Sequence, residues 1–316
     1  MKKVNTTIIS LTGGLGNQLF QLSAGLHIAQ SDKLLLEWTV GKPRLDRDLL
    51  PAIATFKLPR NVSLMEKHKN NWLVGKTIGF MLRLGFEPKS FEKVAGYFSV
   101  CRWLATLVIS LYFKSFYKIC PGRDLGHHVL FKESKGNFIV GYFQSYKWAE
   151  QPEVLSKLKS LEITQSDPEL LGLKALSIIE NPLVVHIRLG DYKKESSIGI
   201  LPKEYYERSI ERMWNTGKYK SIWAFSDEPI LAKEIFSGIK DKNIRWISEI
   251  DGSASKTLEA MRLGYGYVIG NSTFSWWGAF LSHTPAAKVI APSPWFKNIP
   301  TPKDLIPPHW DLEVSW

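Results

Sequence analysis

From Asn181 onward, short β-rich runs alternate with helical patterns: LVVHIRL, PKEYYERSIERMW, SIWAFSD, EPILAKEIF, NIRWIS, KTLEAMRL, YGYVIGN, FSWWGAFL and KVIAP. Strict alternation of strand and helix implies a parallel sheet covered by helices on both faces. The first half repeats the pattern less regularly, with TTIISL, a helix from Gly16, LLLEW and FIVGYF. Within that helix Leu19, Leu22, Leu26 and Ala29 are spaced to face a core. A chain of 316 residues is more than one small core needs. Two α/β halves are therefore expected, 1–165 and 166–316, joined within SLEITQSDPELLGLKALSIIENP at 160–182. The tail after Pro292, with five further prolines, is expected to lack regular structure until its last few residues.

Ligands of open α/β sheets bind beyond the carboxyl ends of the strands, and three stretches place polar groups there. In LVVHIRLGDY (183–192), His186 and Arg188 lie two apart and point to one face of the strand, with Ile187 and Leu189 on the other. Gly190 ends the strand, and Asp191 follows within reach of the guanidinium. Arginine suits bidentate contact with phosphate oxygens and keeps its charge at ordinary pH. The same spacing also fits an internal Arg188–Asp191 pair that braces a turn. In GNSTFSWWGAF (270–280), Asn271, Ser272 and Thr273 are all good N-caps, and the helical pattern begins at Phe274 or Ser275. A helix start after a buried strand offers N–H groups and a positive dipole end to an anion, while Trp276 and Trp277 read as packing residues. In WAFSDEP (223–229), Asp227 can accept from a guanine edge or ribose hydroxyls, but spacing alone favours a helix N-cap.

LTGGLGNQLFQ (11–21) looks like a dinucleotide fingerprint, yet Leu19 stands where the third glycine belongs. What survives is a tight glycine turn able to bring backbone close to a ligand. Other patterns fail sooner. GKT at 75–77 lacks the earlier glycine, replaced by Asn70, and has no preceding strand. The Asp46-x-Asp48 pair of LDRDL follows a Pro-Arg turn, and the adjacent His127 and His128 lack further ligands, so no metal site is expected.

Charge narrows the partners: 41 Lys plus Arg against 30 Asp plus Glu give a net +11, which favours anionic ligands. No zinc-finger spacing or ribonucleoprotein motif occurs, so nucleic acid is not expected. Cys101 and Cys120 are too few for a disulfide scaffold and fit a reduced, cytoplasmic setting. MKKVNTTIIS reads as a first strand, not a signal peptide. WLATLVISLYF at 103–113 falls well short of the roughly 20 apolar residues a membrane span needs. Around it, residues 67–123 interleave Lys and Arg with Trp72, Phe80, Trp103, Phe113, Phe116 and other aromatics. Such an insertion suits peripheral contact with an anionic membrane at its inner face. It equally suits a helical subdomain with aromatic core, which aromatic residues at helical spacing favour.

Taken in order, GGLGNQLFQ, GYFQSYKW (141–148), HIRLGDY (186–192), LPKEYYERSI (201–210), FSDEP (225–229) and NSTFSWWGAFLS (271–282) resemble the bacterial alpha-1,2-fucosyltransferases of glycosyltransferase family 11. The resemblance is weakest from about 40 to 135. It implies a GT-B-type fold, two Rossmann-like domains facing a cleft, with the first domain on the acceptor side and the second binding GDP-fucose. It further implies inverting transfer of fucose to the 2-hydroxyl of a galactose-terminated oligosaccharide or lipid-linked glycan, in O-antigen or capsule synthesis, with no cofactor and no metal.

By the same resemblance, Arg188 sits on the donor β-phosphate with His186 nearby on the nucleotide. Ser272, Thr273 and Phe274 line the diphosphate pocket, and Asp227 contacts guanosine. Asn17 faces the reaction centre from a loop whose Gly14 and Gly16 let backbone approach the donor, and Asp191 orients Arg188. The segment from Trp38 to Pro59 and the aromatic insertion depart from the family pattern and put the acceptor in doubt. Transfer with alpha-1,6 or alpha-1,3 linkage stays open, as does a non-catalytic carbohydrate-binding module using some of the twelve tryptophans.

Overall fold

A computed structural model describes residues 6–38, 50–65, 72–86, 95–122, 125–127, 137–164, 167–239, 241–247 and 253–316. The chain divides into two compact units, Met1–Glu162 with Pro302–Leu305, and Ile163–Thr301 with Ile306–Trp316.

In the first unit, β1 (Thr6–Ser10), β2 (Lys33–Glu37), β3 (Val62–Leu64), β4 (Lys118–Pro121) and β5 (Asn137–Val140) form a sheet ordered β3-β2-β1-β5-β4. Every pairing is parallel. Helix α1 (Leu15–Ala29) packs on β1 and β2 and buries far more than one stripe, Gln18, Gln21 and Ser23 included. Helices α2 (Trp72–Phe86) and α3 (Ala95–Tyr112) pack on one another. Val74, Ile78 and Met81 of α2 join Ala105 and Ile109 of α3 in one core with Ile8, Ile119 and Phe138. The span 67–123 is therefore not helical throughout. Its end, Lys118–Pro121, is an edge strand, where Pro121 needs to donate no ladder bond. GKT lies inside the first turns of α2, and a strand does precede it, the short β3, which three residues were too few to reveal in the sequence. Short helices α4 (Tyr146–Ala149) and α5 (Pro152–Lys159) complete the unit.

The second unit begins with α6 (Pro168–Glu180), capped by Asp167, which accepts from Glu169 and Leu170 N–H and is continued by Pro168 at the first helical position. Six parallel strands follow, β6 (Leu183–Ile187), β7 (Ile222–Ser226), β8 (Ile244–Trp246), β9 (Gly266–Val268), β10 (Lys288–Ser293) and β11 (Asp311–Val314). They are ordered β11-β10-β9-β6-β7-β8. Between them run α7 (Lys203–Trp214), α8 (Pro229–Ile235), α9 (Ala254–Met261) and α10 (Thr273–Phe280). Leu183, Val185, Ile187 and Leu189 share one core cluster with Tyr205, Tyr206 and Ile210 of α7, so the alternation read along β6 holds. β11 supplies the regular structure expected at the end of the tail.

Renumbered from β6, this order is that of the dinucleotide-binding fold, two runs leaving the centre in opposite directions. The reversal falls between β6 and β9, where a crevice opens at the carboxyl ends of the strands. In the first unit it falls between β1 and β5. These two places gather the candidate residues of the two units.

Candidate active site

In the second unit, the loop after β6 carries Arg188. Its Nε and Nη2 donate to Asp191 Oδ1 at 3.1 and 2.8 Å, and its Nη1 lies 3.2 Å from Asp227 Oδ2. Asp227 does not cap a helix, as spacing alone had favoured. The N-cap of α8 is Glu228, without a side-chain cap bond, and Ser226 Oγ accepts from Glu228 N–H. The Asp227 carboxylate instead turns toward β6 and accepts from Leu189 N–H at 3.0 Å and Gly190 N–H at 2.9 Å. A carboxylate that ties down two backbone donors and a guanidinium outcompetes a local cap. Both terminal nitrogens of Arg188 keep N–H groups for a further acceptor.

Across the reversal, Ser272 is the N-cap of α10 and accepts from Phe274 N–H, so the helix begins at Thr273. Asn271 is buried and donates to Gly199 and Ile198 carbonyls, pinning this loop to the segment before α7. Thr273 and Phe274 stay half-buried at the helix start, while Trp276 and Trp277 are fully buried. The two loops are joined by Tyr192, which sequence reasoning did not single out. Its ring lies 5.6 Å from the Arg188 guanidinium carbon, and its hydroxyl donates to Asn271 O at 3.2 Å. Burial pushes this phenol up to about 12, so it remains a donor. His186 lies beneath, with its ring 6.0 Å from Phe274. Burial, aided by the Arg188 charge, pushes its pKa down to about 3, and its Nδ1 has no partner. His186, Arg188, Asp191, Asp227, Ser272, Thr273 and Phe274 thus surround one strand-end crevice.

In the first unit, Gly13 adopts φ +73°, a left-handed conformation that favours glycine. Gly14 is the N-cap of α1, with open space where a Cβ would stand. Gly16 and Asn17 follow in the first turn, and Asn17 Oδ1 accepts from Gln144 Nε2 at 3.1 Å. Two buried glutamines hold the turn, neither of them legible from periodicity. Gln21 accepts from Thr12 N–H and donates to Gly141 O, tying the loops after β1 and β5. Gln18 donates to Gly13 O and accepts from Ile53 N–H. Among the described residues no group of three or more His, Cys, Asp or Glu is brought together. The Asp46-x-Asp48 pair and His128 lie outside the described residues, whereas His127 packs on Trp148 at 4.4 Å.

The sequence pattern of glycosyl transferase family 11 matches residues 102–310, about two thirds of the chain and all of the crevice just described. The chain belongs to that family. The O-antigen biosynthesis glycosyltransferase WbnK of Escherichia coli is 25% identical over 318 residues, covering 90% of this chain and 93% of WbnK. An alpha-1,2-colitosyltransferase of Escherichia coli is 32% identical over 127 residues, covering 37% of this chain and 42% of that protein. Among solved structures, the NodZ alpha-1,6-fucosyltransferase soaked with GDP-fucose superposes with a TM-score of 0.51 at 14% identity, over 95% of this chain and all of NodZ. A family 9 glycosyl transferase from Veillonella parvula gives 0.51 at 9% identity, over all of this chain and 88% of that one. At such identities the likeness is one of fold: each unit of this family 11 chain is a Rossmann-like half of the GT-B type.

Proposed function

We propose that the chain transfers L-fucose from GDP-fucose to the 2-hydroxyl of a galactoside, inverting the anomeric centre, in the synthesis of a surface glycan such as an O-antigen. The observation that carries this reading is the fixed cation and helix start at one topological switch point, Arg188 after β6 and Ser272–Phe274 after β9. WbnK's O-antigen role and the alpha-1,2 linkage named for the colitosyltransferase support the pathway class and linkage.

Breaking the sugar-to-phosphate bond leaves negative charge on the departing diphosphate, and preorganised donors aimed at that charge are usually the largest catalytic contribution. Arg188 and the first turn of α10 supply those donors. The two partners of Arg188 are not equivalent. Asp227 is held by backbone N–H groups, whereas the Asp191 side chain is 66% exposed, and an exposed pair is worth at most about 1 kcal/mol. An arriving phosphate takes the N–H groups that Arg188 keeps free, while Asp191 steadies the guanidinium from one side and Asp227 braces it from the other. His186 is neutral at physiological pH and offers its unpartnered Nδ1 to the nucleotide. In the first unit the reading assigns Asn17 to the reacting centre and Gly14 and Gly16 to close backbone approach.

Incubation with GDP-fucose and a panel of galactosides, followed by NMR of the product linkage, tests the reading directly. Arg188→Ala is expected to cut turnover by about 10² to 10³ with the fold intact; near wild-type GDP release would remove the assignment. Absence of GDP binding by calorimetry would favour a non-catalytic carbohydrate-binding protein. The colitosyltransferase likeness favours one second reading, colitose as the sugar transferred. A clear preference for nucleotide-activated colitose over GDP-fucose would establish it.

A further inference from the structure

α3 buries Cys101, Ala105 and Ile109 along one side. On the opposite side Val100, Trp103, Leu104, Leu107 and Leu111 are 56, 64, 49, 45 and 70% exposed. Spacings of three, one, three and four residues keep these five side chains in one row along three turns. Exposed apolar residues are ordinary when scattered, but a contiguous row on a helix marks a contact surface. The neighbouring α2 adds Phe80, 43% exposed, while its own Val74, Ile78 and Met81 face the core.

Within the two described segments of this insertion the charged side chains share one sign. Residues 72–86 and 95–122 contain Lys76, Arg83, Arg102, Lys114 and Lys118 and not a single Asp or Glu, within a chain of net charge +11. Long basic side chains beside an apolar row fit the boundary between anionic headgroups and acyl chains, with stems on the hydrocarbon side and charges in the headgroups. A second copy of the same face would oppose like charges. Among the described residues no helix is long and apolar enough to cross a membrane.

We propose that the outer face of α2 and α3 is a docking surface for an anionic lipid bilayer, on which α3 lies along the interface without crossing it. The surface requires nothing of the crevice chemistry, so its test stands apart from that of the transferase reading. The full-length protein is sedimented with vesicles of phosphatidylcholine alone or containing phosphatidylglycerol, at low and high salt. Binding is expected to be at least about tenfold stronger to the anionic vesicles at low salt and to weaken as salt rises. Trp103→Glu with Leu107→Glu is expected to abolish binding without lowering the melting temperature, since both side chains are exposed. Arg83→Gln with Lys114→Gln is expected to remove the preference for anionic vesicles. Equal sedimentation of wild type and the Trp103/Leu107 variant would overturn the proposal. So would a wild-type dimer in light scattering that this variant dissociates and that does not sediment with vesicles.

Discussion

Arg188 is a single cation between two carboxylates that do different work. Asp227 satisfies Leu189 and Gly190 N–H as well as the guanidinium, so Asp227→Ala strands two backbone donors. A cost of about 1 to 3 kcal/mol is expected together with a large loss of turnover. Asp191→Ala is expected to cost under about 1 kcal/mol while turnover falls. Paired melting curves and GDP-release rates separate the two roles, and equal destabilisation would refute the distinction. His186 gives the residue scale a pH signature. Its folded pKa of about 3 lies below the ordinary value of 6.5, so below pH 6.5 the unfolded chain takes up a proton that the folded one refuses. Stability is expected to fall with acidification across that window, by up to about 1.4 kcal/mol per pH unit from this residue. His186→Gln should flatten the slope between pH 6.5 and 5, before most carboxylates titrate; an unchanged slope would show that the imidazole is not kept neutral.

At the scale of elements, both candidate loops are strand-to-helix turns whose glycines serve different purposes. A Cβ at Gly190 would collide with Asp227 Oδ2, so Gly190→Ala is expected to dislodge the brace on Arg188 and abolish turnover. Gly14 has an ordinary φ of −74° and open space around it, so nothing in the folded chain forbids a methyl group there. Gly14→Ala is expected to melt at or slightly above the wild-type temperature and yet lose activity, because the methyl group occupies room left for a ligand. Full activity in that variant would separate the glycine turn from the reaction. Tyr192 links the same elements by its ring and hydroxyl, and its motif offered only an aromatic after an acid. Its partner Asn271 lies 79 residues away, a relation that no local spacing encodes.

At the scale of the molecule, the chain returns to the first unit only for Pro302–Leu305 and then closes the second sheet with β11. Asp304 accepts from Tyr146 N–H through its carbonyl and pairs with Lys147 at 2.8 Å, while Arg208 and Arg212 reach Glu313 and Asp311 of β11. A chain ended at Thr301 loses contacts in both units. Limited proteolysis should then cut residues of α4 and α7 that the full chain protects; unchanged protection would show that the tail is dispensable. The proline-rich tail hid this, since its bonds are made by irregular backbone that carries no period.

The sequence by itself determined the parallel α/β halves, the helix start at the NSTF motif, and the place of Arg188 at a strand's carboxyl end. Alternation of apolar residues and capping chemistry act over a few residues and are written locally. Which helix residues are amide clamps, what the Asp227 carboxylate holds, and which side of α3 stays uncovered were decided only by the tertiary structure. Gln21 finds Gly141 at a separation of 120 residues, Asp227 finds Leu189 at 38, and the row from Val100 to Leu111 is a surface only because Cys101, Ala105 and Ile109 took the core. Long-range partners follow from the order in which strands pair, and strand order is not a property of any short stretch.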